Sequence, residues 1–103
     1  MVNIIIKERR GVILGFLCEG HSGYAPEGED IVCASVSAVA QFVIAGICET
    51  LEQSAEYSTE KGRIELSLNE NAAAQSFLRT FKTFIGQLAA QYKDYINFSI
   101  LEV

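Results

Sequence analysis

The chain has 103 residues, 50% of them hydrophobic and 20% charged, which suits one globular domain over residues 1–103 and excludes a disordered chain or a disulfide scaffold. Thirteen acidic residues against 8 basic ones give a net charge of −5, which argues against general nucleic-acid binding, because that needs clustered Lys and Arg. The opening residues MVNIIIKERR turn charged too early for a signal peptide, and an odd count of 3 cysteines suits free thiols in a reducing cytoplasm.

Val2 to Lys7 is predicted to be a short apolar strand, Glu8-Arg9-Arg10-Gly11 a polar turn, and Val12 to Glu19 a second strand. Together they make a hairpin with a loop of about three to five residues. Gly20 to Glu29 (GHSGYAPEGE) holds the only proline and Gly20, Gly23 and Gly28. Such a stretch runs neither as helix nor as central strand, and loops of this kind often carry function on a rigid scaffold. Asp30 is a good N-cap for a helix running to about Leu51. Val32, Val36, Val39 and Val43 form one stripe, and Ala34, Ala38, Gln41 and Ala45 form a small-residue side opposite. The helix is therefore expected to be covered on both sides. Gln41, Glu49 and the many small residues weigh against a membrane span.

Ala55 to Leu68 reads as a second hairpin turning at Thr59-Glu60-Lys61-Gly62, with Ile64, Leu66 and Leu68 alternating with polar residues. Asn69 is placed to cap a second helix, whose apolar stripe is Phe77, Phe81, Phe84 and Leu88, widened by Leu78 and Ile85. Tyr95 to Val103 is a final strand. The order β-β-α-β-β-α-β predicts an α+β fold, two helices on a mixed or antiparallel sheet, with no repeat and no linker.

The chemistry concentrates at one loop. His21, the only histidine, stands just past a strand end, and Cys33 falls in the first turn of the long helix. Helix N-terminal N–H groups and the macrodipole favour a thiolate there, and a thiolate is the form that attacks a carbonyl. An imidazole within reach would serve as its proton partner, and the loop between the two is long enough to close the pair. The bland alternative is that Cys33 is packing and His21 a solvated side chain. A zinc site is a further alternative: Cys18 and His21 form a C-x-x-H pair. Cys48 cannot join Cys33 in it, since fifteen residues of helix separate them by about 22 Å; a three-ligand set of Cys18, His21 and Cys33 stays open. Cys18 and Cys48 are otherwise core residues. Asp30 could cap the helix or orient the imidazole. Ser37, one turn after Cys33, could bond near the site or back to the Cys33 carbonyl. Glu27 and Glu29 are loop charges. No P-loop, dinucleotide fingerprint or paired-acid motif appears.

The run Gly20-His21-Ser22-Gly23-Tyr24-Ala25, then Gly28-Glu29-Asp30-Ile31-Val32-Cys33-Ala34-Ser35-Val36-Ser37, resembles the Prp family, the ribosomal-processing cysteine proteases of Firmicutes and related bacteria. Ser22 and Ser35 stand where that family more often has Ala. The resemblance extends to length and element order. It implies a cysteine endopeptidase that removes the short N-terminal extension of large-subunit ribosomal protein L-twenty-seven. It also implies Cys33 as nucleophile, His21 as general base, Asp30 and Ser37 as supporting residues, and Gly20, Ser22, Gly23, Tyr24 and Gly28 in a loop that orders around the substrate. A homodimer is implied, whose contact the small-residue side of the first helix would suit. No cofactor, metal, nucleic acid or membrane is implied. The alternative from a different class is a non-enzymatic homodimeric module that binds ribosomal components.

Overall fold

The computed structural model describes residues 1–26 and 29–103; Glu27 and Gly28, named above in the loop, lie outside them. Strand β1 spans Val2–Arg9 and β2 Val12–Glu19; helix α1 spans Ile31–Ala45; β3 spans Glu56–Glu60 and β4 Arg63–Ser67; α2 spans Gln75–Gln91 and β5 Ile96–Glu102. The expected α+β order is the observed one. The strands form one five-stranded sheet in the order β3-β4-β2-β1-β5. It is mixed: β5 runs parallel to β1, and the other neighbours are antiparallel.

Alternation places one face of β1, β2 and β4, and the start of β5, against the helices. Val2, Ile4 and Ile6 of β1, Ile13, Phe16 and Cys18 of β2, Ile64 and Leu66 of β4 and Ile96 of β5 are all buried there. Helix α1 contributes Val32, Val36, Ala40, Val43 and Ile44, and α2 contributes Leu78, Phe81, Ile85 and Ala89. The Phe81 ring stacks on Phe16 with centroids 4.1 Å apart, which fastens α2 to the middle of the sheet.

Several local details depart from expectation. The first hairpin turns on two residues, Arg10 and Gly11, both at positive φ, the geometry that matches strand twist. Glu8 belongs to the strand. It is 8% exposed and paired with Lys82 of α2, so a residue that reads as turn is an interior charge with a partner. The second hairpin is equally tight, at Lys61-Gly62, between β3 and β4. Asn69 does not cap α2. Asn71 instead accepts from the Ala74 N–H at 3.0 Å, and the helix starts later, at Gln75. Its buried stripe is centred on Leu78, Phe81 and Ile85, leaving Phe84 exposed.

Helix α1 continues through a π-helical turn at Gly46–Thr50. Gly46 lets this turn lie against the Phe77 ring, where a Cβ would come within 2.5 Å. By length and composition Ile31–Thr50 could cross a membrane, with a hydropathy of 2.2. Its valine stripe is buried against the sheet, as in a core helix. The cover expected for the other side is not supplied within one chain: Ala34, Ala38, Gln41 and Ala45 are exposed, and Phe42 is 71% exposed.

Candidate active site

The end of β2, the start of α1 and the β3–β4 turn meet at one end of the sheet. There they enclose a cavity of about 460 Å³ whose lining includes His21, Cys33, Asp30 and Ser37. Its floor is apolar, from Val2, Cys18, Val36 and Ile64. The chain enters the site through Gly20, at φ +101°, where a Cβ would lie 2.6 Å from the Met1 carbonyl oxygen. Only glycine lets the strand end bend past β1 at that point.

Asp30 organises the next step. Its Oδ1 accepts from the N–H groups of Val32 and Cys33, each at 3.0 Å, and its backbone carbonyl accepts from Ala34. The N-cap is thus as expected, with a consequence for the nucleophile. The donors of the first turn are spent on Asp30 and are not aimed at the sulfur. The N–H that does reach Cys33 Sγ comes from the loop: Ser22 donates to it at 3.1 Å.

Ser22 is 4% exposed. Its hydroxyl donates to Asp30 Oδ2 and accepts from the Tyr24 N–H at 3.1 Å. One buried serine therefore joins the loop, the helix cap and the thiol. Burial pushes the Asp30 carboxyl up, but hydrogen bonds outweigh it: from the Ser22 hydroxyl, the backbone of Cys33 and Ala25, and the Cys33 thiol. The net effect holds Asp30 below its usual value. These are its partners among the described residues, and they make Asp30 the cap of α1.

His21 is exposed and lines the same cavity as Cys33. Its ring lies against Gly62 of the β3–β4 turn. Ser37 lines the cavity too; its hydroxyl accepts from Gln41 Nε2 at 2.8 Å, and it is Ser35 that bonds back along the helix, to Ile31 O. Gly20 and Gly23 line the cavity. Tyr24 points away, edge-on to Tyr92 and Tyr95 at 5.8 and 5.1 Å, and pins the loop to the segment between α2 and β5. Gly28 lies outside the described residues.

The three thiols are free and differ in setting. Burial pushes Cys18 up to about 12. Burial, with the Glu49 charge, also raises Cys48. Cys18, His21 and Cys33 share the cavity, yet among the described residues no group of three or more His, Cys, Asp or Glu side chains is arranged to hold a metal ion. The part of the site that the sequence left unseen is the β3–β4 turn. Its signal was present only as a turn glycine. What makes it part of the site is the pairing of β4 with β2, which sets Arg63 opposite Glu19 and so brings Gly62 beside Gly20.

A family model described as cysteine protease Prp matches residues 1–97. No curated protein sequence matches significantly. Among solved structures, the chain is similar to the essential ribosomal processing protease Prp from S. aureus with a covalently linked product peptide (TM-score 0.89, 22% identity, 97% of this chain and 99% of that one). The same protease with a substrate peptide gives a TM-score of 0.84 at 21% identity, over 97% and 99% of the two chains. SMU.848 from Streptococcus mutans gives 0.82 at 21% identity, over 100% and 96%. At these identities the likeness establishes the fold.

Proposed function

The chain belongs to the cysteine protease Prp family, and on that premise we propose that it uses Cys33 and His21 as a dyad to remove the N-terminal extension of ribosomal protein L-twenty-seven. The observation that carries the reading is the Ser22 N–H on Cys33 Sγ at 3.1 Å, at the start of α1 and on the cavity that His21 also lines. The Ser22 N–H and the first turn of α1 hold the sulfur at the cavity wall, and a thiolate is the form that attacks a carbonyl.

In this mechanism His21 takes the Cys33 proton, and the sulfur attacks the scissile carbonyl carbon. The carbonyl π pair moves to oxygen. Collapse of that intermediate breaks the C–N bond as His21 returns the proton to the leaving amine. Water then attacks the thioester with His21 as base, which releases the acid product and restores the thiol. The cavity between the loop and the β3–β4 turn receives the peptide, and Ser37 lies along its wall. The S. aureus structures, a ribosomal processing protease with a substrate peptide and with a linked product peptide, support the choice of substrate class. Three free thiols support a cytoplasmic setting. The non-enzymatic alternative is set aside, because the family is one of proteases.

The test is mass spectrometry of the L-twenty-seven precursor after incubation with purified protein. Wild type removes the extension. Cys33→Ala and His21→Ala do not, while their far-UV circular dichroism stays that of wild type. Cleavage by Cys33→Ala at the wild-type rate would sink the assignment.

A further inference from the structure

His21 is exposed and on a glycine-rich loop, so its own segment fixes its ring poorly. The β3–β4 turn supplies what is missing. Gly62, at φ +78°, presents a bare backbone to the imidazole, and a Cβ there would lie 3.2 Å from His21 Nε2 and 3.3 Å from Cε1. The adjacent backbone is tied as well: the Gly20 N–H donates to the Gly62 carbonyl at 2.8 Å. One residue thus holds the stem of the loop and lies at the Nε2–Cε1 edge of the ring, from a point forty-one positions away in sequence.

We infer that Gly62 is a positioning residue, whose missing side chain forms the seat that sets the His21 imidazole toward the cavity it shares with Cys33. The inference rests on the proposed role of His21 as proton acceptor. A methyl group at this seat does not crush anything rigid. The ring is at the end of an exposed side chain and moves aside by a few tenths of an ångström. The effect therefore falls on proton transfer, where small misplacements are costly, more than on stability.

The fold contains its own control. Gly11, in the β1–β2 turn at the other end of β2, also has positive φ (+81°), but a Cβ there meets nothing within 4 Å. Gly11→Ala therefore imposes the backbone strain of Gly62→Ala without the obstruction. The chain has 1 histidine, so its imidazole Cε1–H gives one unambiguous NMR signal in the untagged protein.

The experiment compares wild type, Gly62→Ala and Gly11→Ala by thermal unfolding, by that signal, and by kcat and KM on a peptide spanning the extension junction. The expected result is a similar fall in Tm for both variants. Gly62→Ala alone shifts the imidazole signal and lowers kcat about tenfold, with KM within about twofold. Should Gly62→Ala fold poorly, Gly62→Asn and Gly11→Asn repeat the comparison with a residue that tolerates positive φ. An unmoved signal, or equal kcat for the two variants at equal folded fraction, overturns the seat even if the dyad stands. A normal rate for His21→Ala overturns the dyad, and any catalytic use of the seat with it, while a moved signal still reports the contact.

Discussion

At the scale of single residues, Asp30 joins the helix cap to the loop. Replacing it with Ala removes the acceptor for two helix N–H groups and costs about 1 kcal/mol from the cap alone; urea unfolding reads this directly. The same variant loses the Ser22 anchor, so cleavage slows as well. The acid side of its pH dependence has a definite sign. Its carboxyl is lowered in the folded chain, so the folded state binds its proton less readily than the unfolded state. The stabilisation is present above the ordinary Asp value of about 3.9 and is lost as pH falls through the lower folded value. Asp30→Asn, which keeps a capping oxygen, flattens this part of the stability–pH curve; an unchanged curve would contradict it. Ser22→Ala leaves Asp30 Oδ2 short of a partner and costs about 1 kcal/mol, seen in the same unfolding assay. His21, Asp30 and Cys33 were legible because they share one stretch of sequence with marked composition. The Ser22 N–H was not, since any residue but proline carries one and only the folded loop says where it points.

At the scale of elements, α2 is held by the stack of Phe81 on Phe16. Both rings are among the fully buried side chains, so Phe81→Ala is expected to cost about 3–5 kcal/mol, read as a lower urea midpoint. The element order was legible because period-two and helical stripes are strong in this chain. Boundaries failed where polar residues serve the interior. Glu8 reads as turn because its partner, Lys82, is seventy-four residues distant. Asn69 reads as a cap because Asn71, two residues on, carries the same chemistry. Sheet order was not legible at all, and with it went the β3–β4 turn, which joins the site only through the pairing of β4 with β2.

At the scale of the whole molecule, the side of α1 away from the sheet is the feature that a single chain leaves unfinished. Ala34, Ala38 and Ala45 are exposed beside Phe42, and the Phe42 ring also borders an apolar groove between α1 and α2 with Phe77 and Phe84. Small residues permit close approach, and an exposed apolar strip beside a groove is the kind of surface that association covers. We propose that the homodimer implied by the resemblance forms through this side. Light scattering at micromolar concentration is expected to give twice the chain mass for wild type and the chain mass for Phe42→Glu; a monomeric wild type removes the proposal.

The burial of Cys18 gives the protein an internal clock. Its thiol is pushed up to about 12 on the floor of the cavity, between Ile4 and Ile64 of the neighbouring strands, and is only 4% exposed, so alkylating reagents modify it slowly unless the fold opens. The rate at which it is labelled therefore counts opening events of the sheet, in native buffer and without denaturant. Set beside the labelling of Cys33 in the same sample, it separates a substitution that unsettles the loop alone from one that loosens the whole sheet.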